Sequence, residues 1–370
     1  MKYYIIAGEA SGDLHGSNLI KELRKLDNDA VIRAWGGDKM KASGAELVKH
    51  YRDLAFMGFI EVIKNLPAIL ENLKFCKKDI LQFQPDVLVL IDYPGFNLRV
   101  AKWAKRQGLK IIYYISPQVW AWKEGRVKTI KQIVDKMLVI LPFEEKFYQQ
   151  WDYKVEYVGH PLVQVINEFL ESHPKQKIGD KPIIALLPGS RKQEVAKKLP
   201  LMLEASKKFM DYQFVVAKTS SLEDEFYSEF LRNFPGVTAV QDQTYTLLSQ
   251  AVAALVTSGT ATLETALFGV PEVVCYKGSS VSYEIAKRLI KIKYISLVNL
   301  IMDKPVVKEL IQNELTVDNI VRELNTILHD PNKIQQVKKD YSNLKTLLQK
   351  ESNASGRAAR EIVGFLQTNV

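Results

Sequence analysis

Short apolar runs recur along the chain, each followed by a polar or glycine-bearing turn and then by a stretch of helical periodicity. Tyr3–Ala7, Val31–Trp35, Val87–Ile91, Ile111–Ile115, Met137–Leu141 and Val155–Val158 form a first series. Ile183–Leu187, Phe214–Ala217, Thr238–Val240, Ala253–Val256 and Val273–Tyr276 form a second. Strand-length runs alternating with helical stretches predict parallel sheets joined by crossover helices. Between the two series lies ESHPKQKIGDKP, Glu171–Pro182, the most polar stretch and one that contains Pro and Gly. A domain boundary is expected there. The pattern therefore predicts an α/β protein with two open domains facing across a cleft, residues 1–172 and 173–345. From Asp318 onward, Leu, Ile and Val spaced three and four apart predict helices, the last opened near Ser355-Gly356-Arg357. The segment 346–370 is expected to pack back on the first domain.

One segment breaks the pattern. FMGFIEVIKNLPAILENLKF, Phe56–Phe75, has apolar residues on more than the single stripe that a surface helix needs. Pro67 should divide it into two helices and sit near the start of the second. It reads either as a buried connecting hairpin or as an exposed apolar patch for a membrane or partner. Phe56, Met57, Phe59, Ile60, Ile63 and Leu66 would form that patch, with Lys64, Lys74, Lys77 and Lys78 suited to anionic headgroups.

Composition narrows the class. The chain has 370 residues, 47% hydrophobic and 25% charged, as in ordinary globular proteins. Its longest apolar run, Ala251–Val256, is far too short to span a bilayer, and the start of the chain does not resemble a signal peptide. Cys76 and Cys275 form no CxxC, so a reducing cytoplasm is the expected compartment. The net charge of +9 is spread evenly over both halves, which argues against a nucleic-acid arm. A basic balance suits anionic surfaces and phosphorylated substrates.

Candidate chemistry lies at the ends of the predicted strands, the edge where open α/β sheets bind ligands. AGEASGDLHG, Ala7–Gly16, is a glycine-bearing turn into a helix, but it carries Glu9 and Asp13, which would repel a phosphate. It is either a tight strand–helix turn or an edge of an active cleft facing hydroxyls. Asp92 in LIDYPGFN follows a fully apolar run and reads either as a ligand-facing carboxylate or as a helix cap. Trp120 and Trp122 in YISPQVWAWKEGR suggest a wall for a sugar or acyl group, or simple anchors for the loop; His160 in YVGHPL ends another strand. In the second half, LLPGSRKQEV places Arg191 beside Gly189 at a helix start, a candidate diphosphate cradle. TSGTATLETALFGVP repeats the design with Ser258, Gly259 and Thr260, and Glu264 lies one turn on, where it could accept from ribose hydroxyls. Scattered histidines and the absence of a nucleophile elbow favour a metal-independent transfer from a nucleotide-bound donor.

GEASGD, LAFMGFIEV, DYPGFN, ISPQVWAW, LPFE, VGHPL, LPGSR, SGTATLE and SLVNLI occur in that order along nearly the whole chain. Together they resemble the lipid-A-disaccharide synthase family. The resemblance implies the GT-B fold: two Rossmann-like domains, the first binding the acceptor and facing the membrane, the second binding the UDP-sugar. It implies joining UDP-2,3-diacylglucosamine to 2,3-diacylglucosamine 1-phosphate, giving a β-1,6 disaccharide and UDP. It also implies peripheral association with the inner membrane of Gram-negative bacteria and a homodimer with exchanged C-terminal parts. Asp92 and Arg191 match residues that the family needs. UDP would be held by Gly189, Ser190, Arg191, Ser258, Gly259, Thr260 and Glu264, with no metal and no cofactor. The acceptor side is expected at Glu9, Ser11, Asp13, Asn97, Trp120 and His160. One departure is Val215–Phe226, with Lys218-Thr219-Ser220 where relatives often have smaller or Pro-containing loops.

An α-linked donor and a β-linked product require inversion, so a single displacement suffices. Asp92 is the expected general base toward the acceptor hydroxyl, and Arg191 with two helix starts would stabilise the leaving diphosphate. Two other readings are open: a UDP-N-acetylglucosamine 2-epimerase of the same architecture, and a non-catalytic basic membrane or nucleic-acid binder.

Overall fold

The computed structural model describes residues 1–54, 66–122, 124–172, 178–278, 293–349 and 353–368. The chain forms two units, Met1–Pro161 with Leu348–Val370, and Leu162–Leu347. Each is built on an open parallel sheet, the α/β architecture that the alternating pattern predicts.

The first unit contains β1 (Lys2–Ala7), β2 (Val31–Gly36), β3 (Glu46–His50), β4 (Val87–Ile91), β5 (Ile111–Tyr114), β6 (Lys136–Val139) and β7 (Glu156–Tyr157). Their order across the sheet is β3-β2-β1-β4-β5-β6-β7. The second unit contains β8 (Ile183–Leu187), β9 (Gln213–Lys218), β10 (Val237–Gln241), β11 (Ala251–Thr257), β12 (Glu272–Tyr276) and β13 (Lys308–Ile311), ordered β10-β9-β8-β11-β12-β13. Central strands such as VLVLI and IIALL are buried along their whole length, because crossover helices cover both faces of a parallel sheet. Two strands were not predicted. ELVKH (β3) and KELI (β13) are sheet edges paired on one side, so their sequences carry Glu and Lys rather than an apolar run.

A buried polar chain fastens the helix Leu66–Phe83 to the first sheet. The Trp35 indole N–H donates to the Tyr4 hydroxyl at 2.8 Å, which donates to Asp79 at 2.7 Å. Arg33 reaches the other Asp79 oxygen at 3.4 Å. This helix begins at Leu66 with Pro67 in its first turn, where a missing N–H costs nothing. Phe56, Met57, Phe59, Ile60 and Ile63 lie outside the described residues.

The expected division fell after residue 172, whereas the helix Pro161–Ser172 belongs with the second unit from Leu162 on. The chain returns after the helix Pro331–Leu348, and the His160 N–H donates to the Leu348 carbonyl at 3.0 Å, which places departure and return side by side. The last helix, Ala354–Thr368, is capped by the Asn353 side chain, which accepts from the Gly356 N–H at 2.6 Å. It packs along the helix Ala10–Leu26 and is tied to β6 by Lys136–Glu361 at 2.5 Å.

Asp13 sets the entry to the short helix Asp38–Ala42. Its carboxylate accepts from the N–H groups of Gly37 (2.7 Å), Met40 (3.0 Å) and Lys39 (3.1 Å). Asp13→Ala would leave these donors without their charged acceptor and is expected to destabilise the first unit by about 1.5–3 kcal/mol. All five tryptophans (35, 103, 120, 122 and 151) belong to the first unit, so urea unfolding followed by tryptophan fluorescence reads it selectively. An unchanged midpoint would mean that water replaces the carboxylate without loss.

Candidate active site

Each sheet has a point where consecutive crossovers leave in opposite directions, and the loops beyond it splay into a crevice. In the first sheet this point lies between β1 and β4. Ala7 pairs with Ile91, so Gly8-Glu9 and Asp92-Tyr93 emerge next to each other. In the second sheet it lies between β8 and β11. Leu187 pairs with Val256, so Pro188–Arg191 and Ser258–Thr260 are neighbours. The sequence-derived candidates therefore fall into an acidic pair of loops in one unit and a cationic, glycine-bearing pair in the other.

Asp92 and Tyr93 are both left-handed, at φ +44° and +49°, a conformation that disfavours side chains other than glycine's. Three features hold them there. The Asp92 carbonyl accepts from the Tyr113 hydroxyl at 2.6 Å and from the Asn97 amide at 2.8 Å. The same Asn97 amide reaches the carbonyls of Ile91 (3.2 Å) and Ile6 (3.4 Å). The Tyr93 ring lies against Gly8, where any Cβ would come within 2.3 Å of it. Tyr93, followed by Pro94, occupies the cap position of the next helix, so Asp92 is not that helix's cap. Its half-buried carboxyl is pushed up to about 6 by burial and then by the neighbouring Glu9 carboxylate, against a smaller downward pull from the Tyr93 N–H. A carboxylate poised near neutrality at a strand end suits a general base.

Among the other residues expected on the acceptor side, Glu9 is half-buried and Ser11 exposed, in keeping with a surface position. Four are corrected. Asp13 is buried with its carboxylate on backbone amides, and Asn97 is wholly buried under the Asp92 turn. Trp120 is buried edge-on to Phe143, with ring centroids 4.9 Å apart, so it anchors its loop. His160 is buried too, and burial with a contribution from His15 holds its pKa down to about 3. Asn97 and Asp13 serve backbone because a polar side chain beside a strand end bonds to loop backbone as readily as it faces a ligand.

In the second unit, Gly189 takes φ +120°, and the Glu194 carboxylate folds back over it to within 2.5 Å of where a Cβ would stand. Arg191 caps the helix Lys192–Ser206 with an exposed guanidinium 3.5 Å from Glu194. Ser190 is exposed, and its carbonyl accepts from the Ser221 hydroxyl at 3.5 Å, so the unusual loop after β9 folds against this turn. Beyond β11, Gly259 caps the helix Thr260–Leu267, and both Gly259 and Thr260 are exposed. The Ser258 hydroxyl donates to the Ile295 carbonyl at 2.8 Å, which leaves the turn's backbone and Thr260 as the groups nearest solvent. Glu264 accepts from the Tyr245 hydroxyl at 2.8 Å, and burial raises its pKa. Helix starts beside a guanidinium are the chemistry that suits an anion.

Glu144 and Lys198 are among the buried ionisable groups that escaped sequence reasoning. Glu144 accepts from the Leu141 N–H at 2.9 Å, and burial pushes its carboxyl up to about 7. It lies beside Ser116, which follows Ile115 at φ +66°. Glu144 is the first residue of its helix and reaches back three residues, past the cap, to the Leu141 N–H in the approach loop. Lys198, 2% exposed, hydrogen-bonds the Thr257 hydroxyl. Its register with Val195, Leu199 and Met202 on one helix face marks it as buried. Among the described residues, no group of three or more His, Cys, Asp or Glu side chains has a metal-holding arrangement.

Comparison with known proteins separates fold from family. The chain is similar in fold to the UDP-GlcNAc 2-epimerase from Neisseria meningitidis bound to UDP-GlcNAc, with a TM-score of 0.67 and full coverage of both chains at 14% identity. In sequence it is 39% identical to the lipid-A-disaccharide synthase of Geobacter metallireducens, over 98% of this chain and 95% of that one. It is 40% identical to the enzyme of the same name from Syntrophus aciditrophicus, over 93% and 92%. The model of the lipid-A-disaccharide synthetase family matches residues 3–363. With the acidic and cationic edges both in place, the chain belongs to the lipid-A-disaccharide synthetase family.

Proposed function

We propose that this chain is an inverting glycosyltransferase joining UDP-2,3-diacylglucosamine to 2,3-diacylglucosamine 1-phosphate, with release of UDP, in lipid A biosynthesis. The observation that carries this reading is the family match over residues 3–363. The likeness to an epimerase is one of fold at 14% identity and gives no support to that activity here. Incubating the protein with both lipid substrates and looking for the disaccharide by mass spectrometry tests the assignment. A shifted stereoisomer of the UDP-sugar, without a disaccharide, would mean an epimerase instead.

In this reading Asp92 takes the proton from the acceptor 6-hydroxyl as that oxygen attacks the anomeric carbon. The C1–O bond to the diphosphate breaks with its electron pair leaving on UDP. Glu9 and Ser11 lie next to the base on the acceptor side. Gly189, Ser190, Arg191, Ser258, Gly259 and Thr260 hold the diphosphate, with backbone N–H groups and the Arg191 guanidinium meeting its growing charge. Glu264 accepts from the ribose, oriented by Tyr245. No metal and no bound cofactor is invoked.

Membrane association is part of the proposal, since both substrates carry acyl chains. Among the described residues, no helix is long and apolar enough to cross a membrane. The helix Leu66–Phe83 continues from the apolar segment and exposes Leu70 (55%) and Leu81 (53%), which lie nearly in line along one face with exposed Lys74 between them. An exposed apolar and basic stripe fits contact with an anionic bilayer surface. The proposed homodimer would exchange C-terminal parts, passing the helix Ala354–Thr368 to the partner's Ala10–Leu26 surface.

Asp92→Asn is expected to lower kcat by about 10²–10⁴, the usual range for a general base. In the wild type, kcat/KM should fall as pH drops through about 6, because the base works only when ionised, and this acid limb should vanish in the variant. Near-normal turnover in Asp92→Asn would remove it from the chemistry.

Arg191→Ala should weaken UDP binding by roughly 1.5–3 kcal/mol, tenfold or more in Kd by calorimetry. Activity should also persist in EDTA. Its loss on chelation, with recovery on adding a divalent ion, would overturn the metal-free reading.

Changing Leu70 and Leu81 together to Gln should reduce binding to anionic liposomes and raise KM for the lipid substrates, with UDP affinity and Tm little changed. A sharp drop in Tm with liposome binding intact would assign both residues to packing.

A further inference from the structure

Lys198 stands in the helix Lys192–Ser206 among Val195, Leu199 and Met202, all wholly buried. An ammonium taken out of water is costly unless other groups compensate it. Its Nζ donates to Oγ1 of Thr257, the last residue of β11 and the one just before Ser258-Gly259-Thr260. Its own helix begins at Arg191. One buried side chain thus joins the two elements whose starts and ends form the anion-binding turns.

The groups around it are few. From its own helix start come the Glu194 carboxylate, which favours its charge, and the Arg191 guanidinium, which opposes it. From β12 comes the Cys275 thiol, pushed up to about 12 by burial and so neutral at ordinary pH. From β11 comes the uncharged Thr257 hydroxyl. Glu194 is itself engaged with Arg191. Among the described residues, no carboxylate comes within ion-pairing distance of the Lys198 ammonium. The Lys198 amine is held beside the two turns with little negative charge around it from within the protein.

We propose that Lys198 is a positioning residue of the diphosphate site, joining its two turns from beneath and supplying buried positive charge that a nucleoside diphosphate completes. The proposal rests on reading these turns as the UDP site. Burial lowers the pKa of Lys198 from its ordinary value. A diphosphate anion close by favours the ammonium and raises that pKa again. Between the two values, UDP binding takes up a proton, and UDP affinity weakens as pH rises through that window. Arg191 takes up no proton itself, because a guanidinium keeps its charge, and acts on this effect only by opposing the Lys198 ammonium.

Calorimetric titration of UDP between pH 7 and 10, in pairs of buffers with different ionisation enthalpies, reads affinity and proton uptake together. Wild type, Lys198→Met and Arg191→Ala are compared, so that ionisation of the uracil is common to all. Wild type should take up protons toward the alkaline end, and Lys198→Met should lose that component and bind UDP roughly tenfold more weakly at pH 7. A role in packing alone would move Tm without changing proton uptake. Equal affinity and equal uptake in wild type and Lys198→Met, with UDP binding lost in Arg191→Ala, would overturn the proposal and leave the UDP site standing. No UDP binding by the wild type would instead remove the site itself. Should Lys198→Met fail to fold, Lys198→Gln keeps a donor for Thr257 without the titrating charge and should lose the uptake in the same way. Wild-type binding without proton uptake anywhere in this range overturns the proposal without any variant.

Discussion

The acidic edge of the first unit depends on one side-chain amide. Asn97 donates to the carbonyls at the ends of β1 and β4 and to the Asp92 carbonyl between the strand and the next helix. Ile6 and Ile91 are among the last paired residues of their strands, so the amide ties the two strand ends to the turn that follows. Two consecutive left-handed residues other than glycine cost on the order of 1–3 kcal/mol each, and such strain persists only where the surroundings overdetermine it. The Tyr113 hydroxyl, the Tyr93 ring on Gly8 and the Pro94 helix start complete that determination. The outcome is a carboxylate turned away from capping and lifted toward neutrality by burial and by Glu9.

The second unit meets the same topological situation with opposite chemistry. Its loops also leave neighbouring strands in opposite directions, but glycine supplies the left-handed turn at 189 and helix starts follow at once. Donors and cations gather where the first unit gathers carboxylates. In the proposed reaction the first edge would supply the base and the second would meet the leaving group's charge. Neither edge could serve both purposes, since each charge would weaken the other's work.

Where the sequence was legible, burial made it so. Strands covered on both faces must be apolar throughout, so VLVLI and IIALL declare themselves, and Asp92, Gly189, Arg191 and Gly259 are found by reading one to four residues past such runs. ELVKH and KELI are illegible for the converse reason, since an edge strand needs neither face covered along its length. Asp13, Asn97, Trp120 and His160 stand at the positions read from the sequence, yet they point into the protein. A polar residue beside a strand end is written identically whether it serves a ligand or the loop's own backbone, and only the direction of the side chain separates the two. Lys198 was hidden by its charge, which in a sequence reads as solvent.

The contact between His160 and Leu348 makes the second unit an insertion within the first. A ribosome delivers this chain from its amino end, so Leu162–Leu347 emerges whole while the first unit still lacks Leu348–Val370. Until then the surface of the helix Ala10–Leu26 that receives Ala354–Thr368 stays bare. Local contacts form early and distant ones late. The second unit can therefore mature during translation before the first, which closes only once the elements it began with meet a helix made after Leu347.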